Sequence, residues 1–281
     1  MKLISLVCAT ISRGKDLATF LTSLTSQTFT DFEIIIVDQN NDNSLTSVLE
    51  PYKSKLDIAH IKTEQKGLSR ARNIGIKHAR YDIIGFPDDD CIYADTTLEF
   101  VKEYFDKNEH IDFIAGTVID TNHDLKAGNL LHDSCRITMN NFMKTVMSAS
   151  LFARSRHFQK TVFCEKLGAG TYFGSAEESD LAFHFLKNGL QGQYLPDRIN
   201  IHHDYHEPSL SKEYQYALGL GAFLRKNYKL EKLLILKYML YYIFYRPLGG
   251  MLIRPRSFAR YYTKLKGRLN GFIEYGHNTD S

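Results

Sequence analysis

The sequence predicts an α/β protein: a mainly parallel sheet with helices on both faces, followed by a C-terminal helical segment. Three observations carry that expectation. The run Phe32–Asp38, FEIIIVD, is apolar and rich in β-branched residues, as a buried strand must be. Over roughly the first 120 residues, strand-like and helix-like segments alternate, which implies right-handed βαβ units. Asp38 and the triplet Asp88, Asp89 and Asp90 each follow such a strand directly, at the edge where open parallel sheets bind ligands.

The elements follow in order. Leu3–Ala9 is a strand candidate, and Asp16–Ser26 a helix with Leu17, Phe20, Leu21 and Leu24 at helical spacing. Leu45–Tyr52 reads as a short helix and Ile58–Lys62 as a strand. Gly67–Ala79 reads as a helix starting near Ser69, and Tyr81–Phe86 as the strand before the acidic triplet. Asp112–Ile119 reads as a strand, and Gly128–Ser155 carries no single pattern. The glycine-rich loop Gly168–Gly174 matches neither a P-loop nor a dinucleotide fingerprint. It leads into a helix over Ser175–Asn188, with Ser175 expected as N-cap and Glu178 in capping-box position. Leu233–Ile253 is strongly apolar, but Lys237, Arg246 and Pro247 interrupt it. A membrane-surface helix pair fits that pattern better than a span.

Composition narrows the function classes. A chain of 281 residues, 43% hydrophobic and 24% charged, can bury one substantial core with an appendage. The net charge of +3 is unevenly spread: residues 212–281 hold 13 Lys/Arg against 4 Asp/Glu, or +9, so residues 1–211 carry 3 − 9 = −6. A basic, aromatic tail suits an anionic surface. No helix-turn-helix, zinc-finger or RNP pattern accompanies it, so no nucleic-acid partner is expected. Cys8, Cys91, Cys135 and Cys164 form no CxxC pair, which argues against a zinc site or disulfide framework and fits a reducing compartment. The opening MKLISLVCAT passes straight into ThrIleSerArgGly and reads as a first strand rather than a signal peptide.

Three adjacent carboxylates repel one another, and a site holding them together usually gains a cation. Oxygen ligands favour Mg2+ or Mn2+, both of which pair with substrate phosphates. Taken alone, the triplet could equally be a solvated loop ahead of the next helix, with Asp95 and Thr96 close behind.

Five segments in order resemble the family-2 glycosyltransferases of GT-A fold: Val7-Cys8-Ala9-Thr10 with Arg13; IIIVDQNNDNS at Ile34–Ser44; GLSRARNIGI at Gly67–Ile76; FPDDDC at Phe86–Cys91; and GSAEESDL at Gly174–Leu181. Together they cover roughly residues 3–205. The resemblance implies a nucleotide-sugar-binding and catalytic domain over residues 1–208 and a basic aromatic helical region over 209–281. It implies that Asp88 and Asp90 are the ends of a DxD motif, Asp90 the direct metal ligand and Asp88 shared between nucleotide and metal, with Asp89 on the nucleotide side and the least defined of the three. Thr10, Arg13, Asp38, Arg72 and Asn73 would line the nucleotide, Asp38 at the base.

An acceptor hydroxyl must lose a proton as it attacks the anomeric carbon, so a carboxylate base is required. Glu178 aligns with the second acidic residue of the family's Glu-Asp pair. Because the family usually has Asp there, Glu177 and Asp180 stay in contention. One histidine of the Ile201–His206 segment, His203 by preference, would approach the metal or diphosphate.

The function implied is metal-dependent, inverting transfer of a hexosyl or N-acetylhexosaminyl group from a UDP-type sugar to a glycan or lipid-linked acceptor. It would serve surface polysaccharide synthesis, peripherally on the cytoplasmic face of the membrane. A nucleotidyltransferase, or a non-catalytic nucleotide-sugar-binding scaffold at the membrane, are the competing readings.

Overall fold

The computed structural model describes residues 3–120, 130–203 and 207–277. In chain order the strands and α-helices are β1 (Ile4–Thr10), α1 (Gly14–Thr25), β2 (Phe32–Asp38), α2 (Ser44–Leu49), β3 (Asp57–Lys62), α3 (Leu68–His78), β4 (Ile83–Gly85), β5 (Cys91–Tyr93), α4 (Thr97–Lys107), β6 (Phe113–Ala115), β7 (Thr117–Asp120), β8 (Cys135–Ile137), β9 (Leu151–Arg154), α5 (Glu177–Lys187), β10 (Gly192–Tyr194), β11 (Asn200–His203), α6 (Leu210–Asn227), α7 (Lys232–Met239), α8 (Arg246–Ile253) and α9 (Phe258–His277). They fall into two compact units.

The first unit comprises Met1–Lys66, Arg70–Val162 and Leu181–Tyr205. Its main sheet has eight strands in the order β3-β2-β1-β4-β9-β6-β10-β8, and a second sheet runs β5-β11-β7. The half containing the sequence-predicted strands is parallel, with β1 paired to β2 in register Ile4↔Phe32 through Thr10↔Asp38. Past β4 the sheet is mixed, because β9 runs antiparallel to both β4 and β6.

Every residue of β1 and β2 is buried, as two covered faces require. On one face Ile4, Leu6, Cys8, Ile34 and Ile36 pack with Leu17, Phe20, Leu21 and Leu24 of α1. Each large apolar side chain fully buried there contributes about 1.5–3 kcal/mol. On the other face Gly75 of α3 sits so close that a Cβ there would lie 2.3 Å from Val7 Cγ1. Glu33, the acid at the start of β2, is satisfied by Ser5 Oγ at 2.6 Å and by the Arg80 amide and Nε at 2.8 and 2.7 Å.

Two expectations are corrected. The strand predicted over Asp112–Ile119 is two strands in different sheets, broken at Gly116. A Cβ at Gly116 would lie 2.2 Å from the Ile199 carbonyl, so the chain changes sheets where only glycine lets the backbones meet. Ser175 does not cap α5. The helix begins at Glu177 after Ala176, whose φ is 73°, and the Ser175 hydroxyl instead donates to the Tyr216 carbonyl at 2.7 Å.

The second unit comprises Gly67–Ser69, Phe163–Asp180 and His206–Ser281. Its short first piece is tied to the glycine-rich loop: the Leu68 amide donates to Ala169 O at 2.9 Å and Ser69 Oγ to Leu167 O at 2.6 Å. Gly168 and Gly170 hold φ of 106° and 78°, a region that favours glycine. Helices α6 and α9 pack almost backbone to backbone, Gly271 against the Leu218 carbonyl and Gly221 against the Arg268 carbonyl. Between them α7 runs through a π-helical stretch, Leu240–Tyr245, into α8 without a break, so Pro247 lies inside the helical run with no N–H to give it, and the Tyr242 carbonyl accepts instead from Arg268 Nη1. Among the described residues no helix is long and apolar enough to cross a membrane.

Candidate active-site residues

In the first unit the candidates gather at the carboxyl ends of β1, β2 and β4. Asp88 is bridged to Ala9 through the backbone, which fastens the acidic triplet to the end of β1. Ligand atoms of Asp88, Asp90 and Cys91 lie within 4.8 Å of one another. The set fits a hard divalent ion through its two carboxylates. Cys91 is a poor third donor, because a soft sulfur suits a hard divalent ion badly; burial, and then the nearby Asp88 charge, also push its thiol up.

The rest of the cluster is cationic. Arg13 ion-pairs with Asp90 and, at 3.3 Å, with Asp89. Arg72 is completely buried, donating from Nη2 to Asp88 Oδ1 at 2.8 Å and to Ser148 Oγ at 2.9 Å. Asp89 is the buried member of the triplet. Its carboxyl is pushed up to about 6 by burial, with the Thr10 hydroxyl and Arg13 opposing and the charges of Asp90 and Asp88 adding. Asp88 and Asp90 keep partial exposure. The triplet is therefore split by environment into two outward carboxylates and one inward one. Asn73 is buried on α3 one residue beyond Arg72.

Asp38 is fully buried at the end of β2. Its Oδ1 accepts from the Asn40 amide and Nδ2, both at 2.8 Å, and its Oδ2 meets His60 Nε2 at 3.0 Å. Asn40 Oδ1 in turn accepts from the Ser12 amide at 2.7 Å, lashing the loop after β1 to the loop after β2. Ser12 holds φ of 58° in that loop. A carboxylate offers about four acceptor positions, and three of them are engaged here, which fixes the Asp38 carboxylate from within the fold.

In β11, His203 pairs with Cys91 across one edge and Asp120 across the other. That brings its backbone beside the strand that begins just after Asp90. The side chains of His202 and His203, and residues 204–206 altogether, lie outside the described residues.

In the second unit the three acidic candidates stand at the start of α5 and differ sharply. Asp180 is buried, with Lys226 Nζ at 2.8 and 2.6 Å from its two oxygens and Asn227 Nδ2 at 2.8 Å. Glu177 is buried against the glycine-rich loop; a Cβ at Gly168 would lie 3.2 Å from its Oε2. Glu178 keeps partial exposure.

Sequence reasoning did not single out Asn40, His60, Ser148, Lys226 or Asn227. Asn40 carried a local signal, because an Asp followed two residues later by Asn often closes a side-chain-to-backbone turn. The others lie 22 to 76 residues from their partners, and no local pattern points to them.

Known proteins resemble this chain in sequence and in fold. Hyaluronan synthase of Pasteurella multocida is 30% identical over 171 residues, which is 56% of this chain and 17% of that protein. The poly(ribitol-phosphate) β-N-acetylglucosaminyltransferase TarP of Staphylococcus aureus is 32% identical over 120 residues, 41% of this chain and 36% of that protein. The chain thus spans only a minor part of the relatives it matches. The structure of S. aureus TarS 1-349 in complex with UDP-GlcNAc covers 100% of this chain and 92% of its own, with a TM-score of 0.62 at 15% identity. The mannosyltransferase PcManGT of Pyrobaculum calidifontis, in complex with GDP-Man and Mn2+, covers 98% of this chain and 86% of its own, with a TM-score of 0.67 at 14% identity. At such identities the likeness shows the fold, which is the GT-A arrangement. The model of glycosyl transferase family 2 matches residues 5–161, more than half of the chain, and the protein belongs to that family.

Proposed function

We propose that this chain transfers a sugar from a UDP-type nucleotide sugar to a glycan or lipid-linked acceptor by single displacement, inverting the anomeric centre. The observation that carries the reading is the pair of outward carboxylates, Asp88 and Asp90, held at the sheet's carboxyl edge in a family-2 chain. These two would hold Mn2+ or Mg2+, with His203 a further donor, and the ion when bound would neutralise charge on the departing diphosphate.

The chain's own residues do the rest. Arg72 holds Asp88, and Arg13 holds Asp90 and adds positive charge beside the phosphates. Asp38, buried and held by Asn40 and His60, shapes the end of the pocket that takes the base, with Thr10 and Asn73 completing the nucleotide wall. Asp89, buried and inward, keeps the triplet in place rather than meeting the ligand. Glu178 takes the acceptor's proton. It is favoured over Asp180, whose carboxylate is committed to Lys226 and Asn227, and over Glu177, which is buried. The acceptor belongs to surface polysaccharide synthesis, and the reaction runs at the cytoplasmic face of an anionic membrane. TarS with UDP-GlcNAc and PcManGT with GDP-Man and Mn2+ support the donor class.

Calorimetric titration with UDP, GDP and dTDP, with and without Mn2+, tests this. Metal-dependent binding of UDP that Asp90→Ala abolishes is the expected result. Metal-independent binding, or binding of no nucleotide, would overturn the donor site. Nucleotide binding without donor turnover would leave a binding scaffold in place of a transferase, and turnover that survives Glu178→Ala would remove Glu178 as the base.

A further inference from the structure

The second unit carries a feature that glycosyl transfer leaves unused. Along α7, the π-helical stretch and α8, the large apolar residues Leu233, Leu236, Leu240, Phe244, Leu248 and Leu252 are all exposed, Leu233 and Leu252 by more than 80%. Ile235, Tyr238, Tyr242, Ile243 and Pro247 supply the buried side. The exposed set therefore lies outside the unit's own packing.

Its spacing explains the π-helical winding. From Leu240 onward Phe244, Leu248 and Leu252 follow at every fourth position, with Tyr245 and Ile253 exposed beside them. In an α-helix of about 3.6 residues per turn, each such step overshoots by about 40°, so three steps would carry the row about 120° round the axis. The i→i+5 bonding of Leu240–Tyr245 fits more residues into each turn and turns the row back. The exposed leucines of α7 and α8 thereby share one ridge.

The surrounding charge has a single sign. Between Glu231 and Glu274 the chain has no Asp or Glu, but it has Lys232, Lys237, Arg246, Arg254, Arg256, Arg260, Lys264, Lys266 and Arg268. Arg260 and Lys264 pair with Glu213 and Arg268 is buried, while Lys232, Lys237, Arg246, Arg254, Arg256 and Lys266 are exposed. A second copy docking ridge to ridge would bring this cationic rim onto itself. An anionic bilayer surface satisfies both features, taking the leucines among its acyl chains and the cations at its headgroups.

We infer that residues 232–256 are an interfacial anchor that beds the Leu233–Leu252 ridge in an anionic bilayer, with the π-helical stretch keeping the ridge on one face. The inference rests on the membrane-surface placement proposed above and names the element responsible.

Co-sedimentation of the full chain with phosphatidylglycerol-containing and pure phosphatidylcholine vesicles tests it. Binding is expected to the former and to fall at high salt. Each basic residue at such a surface is worth about fivefold in partitioning, so Arg254→Gln with Arg256→Gln lowers binding about 25-fold. Leu233→Glu with Leu252→Glu abolishes binding while leaving the urea melt unchanged, since both side chains are more than 80% exposed. Failure to bind anionic vesicles, or binding indifferent to the leucine pair, overturns the inference. A dimer in sedimentation that the leucine pair dissolves also overturns it, in favour of a second copy. Nucleotide titration without vesicles separates the two readings: loss of UDP binding with vesicle binding intact refutes the donor site and leaves the anchor standing.

Discussion

The decisive perturbation for the chemistry is the pair Glu178→Gln and Asp180→Asn. Both sit in the first turn of α5, and both remove one negative charge at nearly constant volume. A general base contributes about 10²–10⁴-fold to rate. Glu178→Gln should therefore lower kcat by that factor, a barrier increase of about 2.7–5.5 kcal/mol. Its side chain keeps partial exposure, so the melting temperature should hold. Asp180→Asn should do the reverse. Its carboxylate takes Lys226 Nζ on both oxygens and Asn227 Nδ2 on one. Removing one partner of a buried ion pair costs about 3–5 kcal/mol. Lys226 is 23% exposed and can turn to water, which brings the loss to about 2–3 kcal/mol by the same reasoning. For a chain of this size that is a fall of roughly 4–12 °C in Tm. The assay is UDP release from UDP-sugars at saturating Mn2+, alongside thermal melts of the same preparations. Turnover within threefold (roughly 0.6 kcal/mol) of the parent in Glu178→Gln, together with a dead but thermally unchanged Asp180→Asn, would refute the assignment.

Asp112 makes stability depend on pH. Burial raises its carboxyl, but the Gln191 amide at 2.9 Å, Arg156 at 3.1 Å and His157 at 2.7 Å outweigh burial and hold it below the ordinary carboxylate range. A lowered folded-state value means the contribution is present above the ordinary value near 3.9 and lost as pH falls through the folded one. Asp112→Asn should cost about 1–3 kcal/mol in urea melts at pH 7 and progressively less below pH 4; equal costs at both would sink the idea. The α6–α9 contact predicts opposite signs for two glycines. Gly271→Ala puts a Cβ 2.0 Å from the Leu218 carbonyl, an overpacking of about 1–3 kcal/mol that exceeds the gain of about 1 kcal/mol in helix propensity. Gly249→Ala on α8 meets nothing within 4 Å and should gain about 0.5–1 kcal/mol. Stabilisation by both would mean the helices are not this close. His60→Ala should raise KM for the donor several-fold with little change in kcat, since His60 acts through Asp38; an unchanged KM counts against Asp38 at the base.

The local patterns of the chain determined its parallel half. In β1, β2 and α1 one periodicity is read by both faces of a buried sheet, and the observed bounds differ from the expected ones by a residue or two. The acidic triplet and Asp38 were legible because they follow apolar runs directly. The break at Gly116 was not, since a glycine inside an apolar run shows its reason only when Ile199 arrives from 83 residues away. The N-cap of α5 was misread because Ala176 takes a left-handed φ of 73° and the helix starts only at Glu177, which leaves Ser175 outside the cap position.

Composition alone announced a basic, aromatic tail. Which of its leucines face outward depended on the π-helical stretch, and no residue count reveals a change in winding. The roles within each acidic group were likewise decided by tertiary structure. Asp88, Asp89 and Asp90 are chemically identical in sequence, as Glu177 and Glu178 are; burial separates the two glutamates, and burial together with Arg13 and Arg72 separates the aspartates. A side chain's type is a local property. Its charge state and its freedom to meet a ligand are set by whatever the fold packs against it: Arg13 and Arg72 on one group, Lys226 on the other.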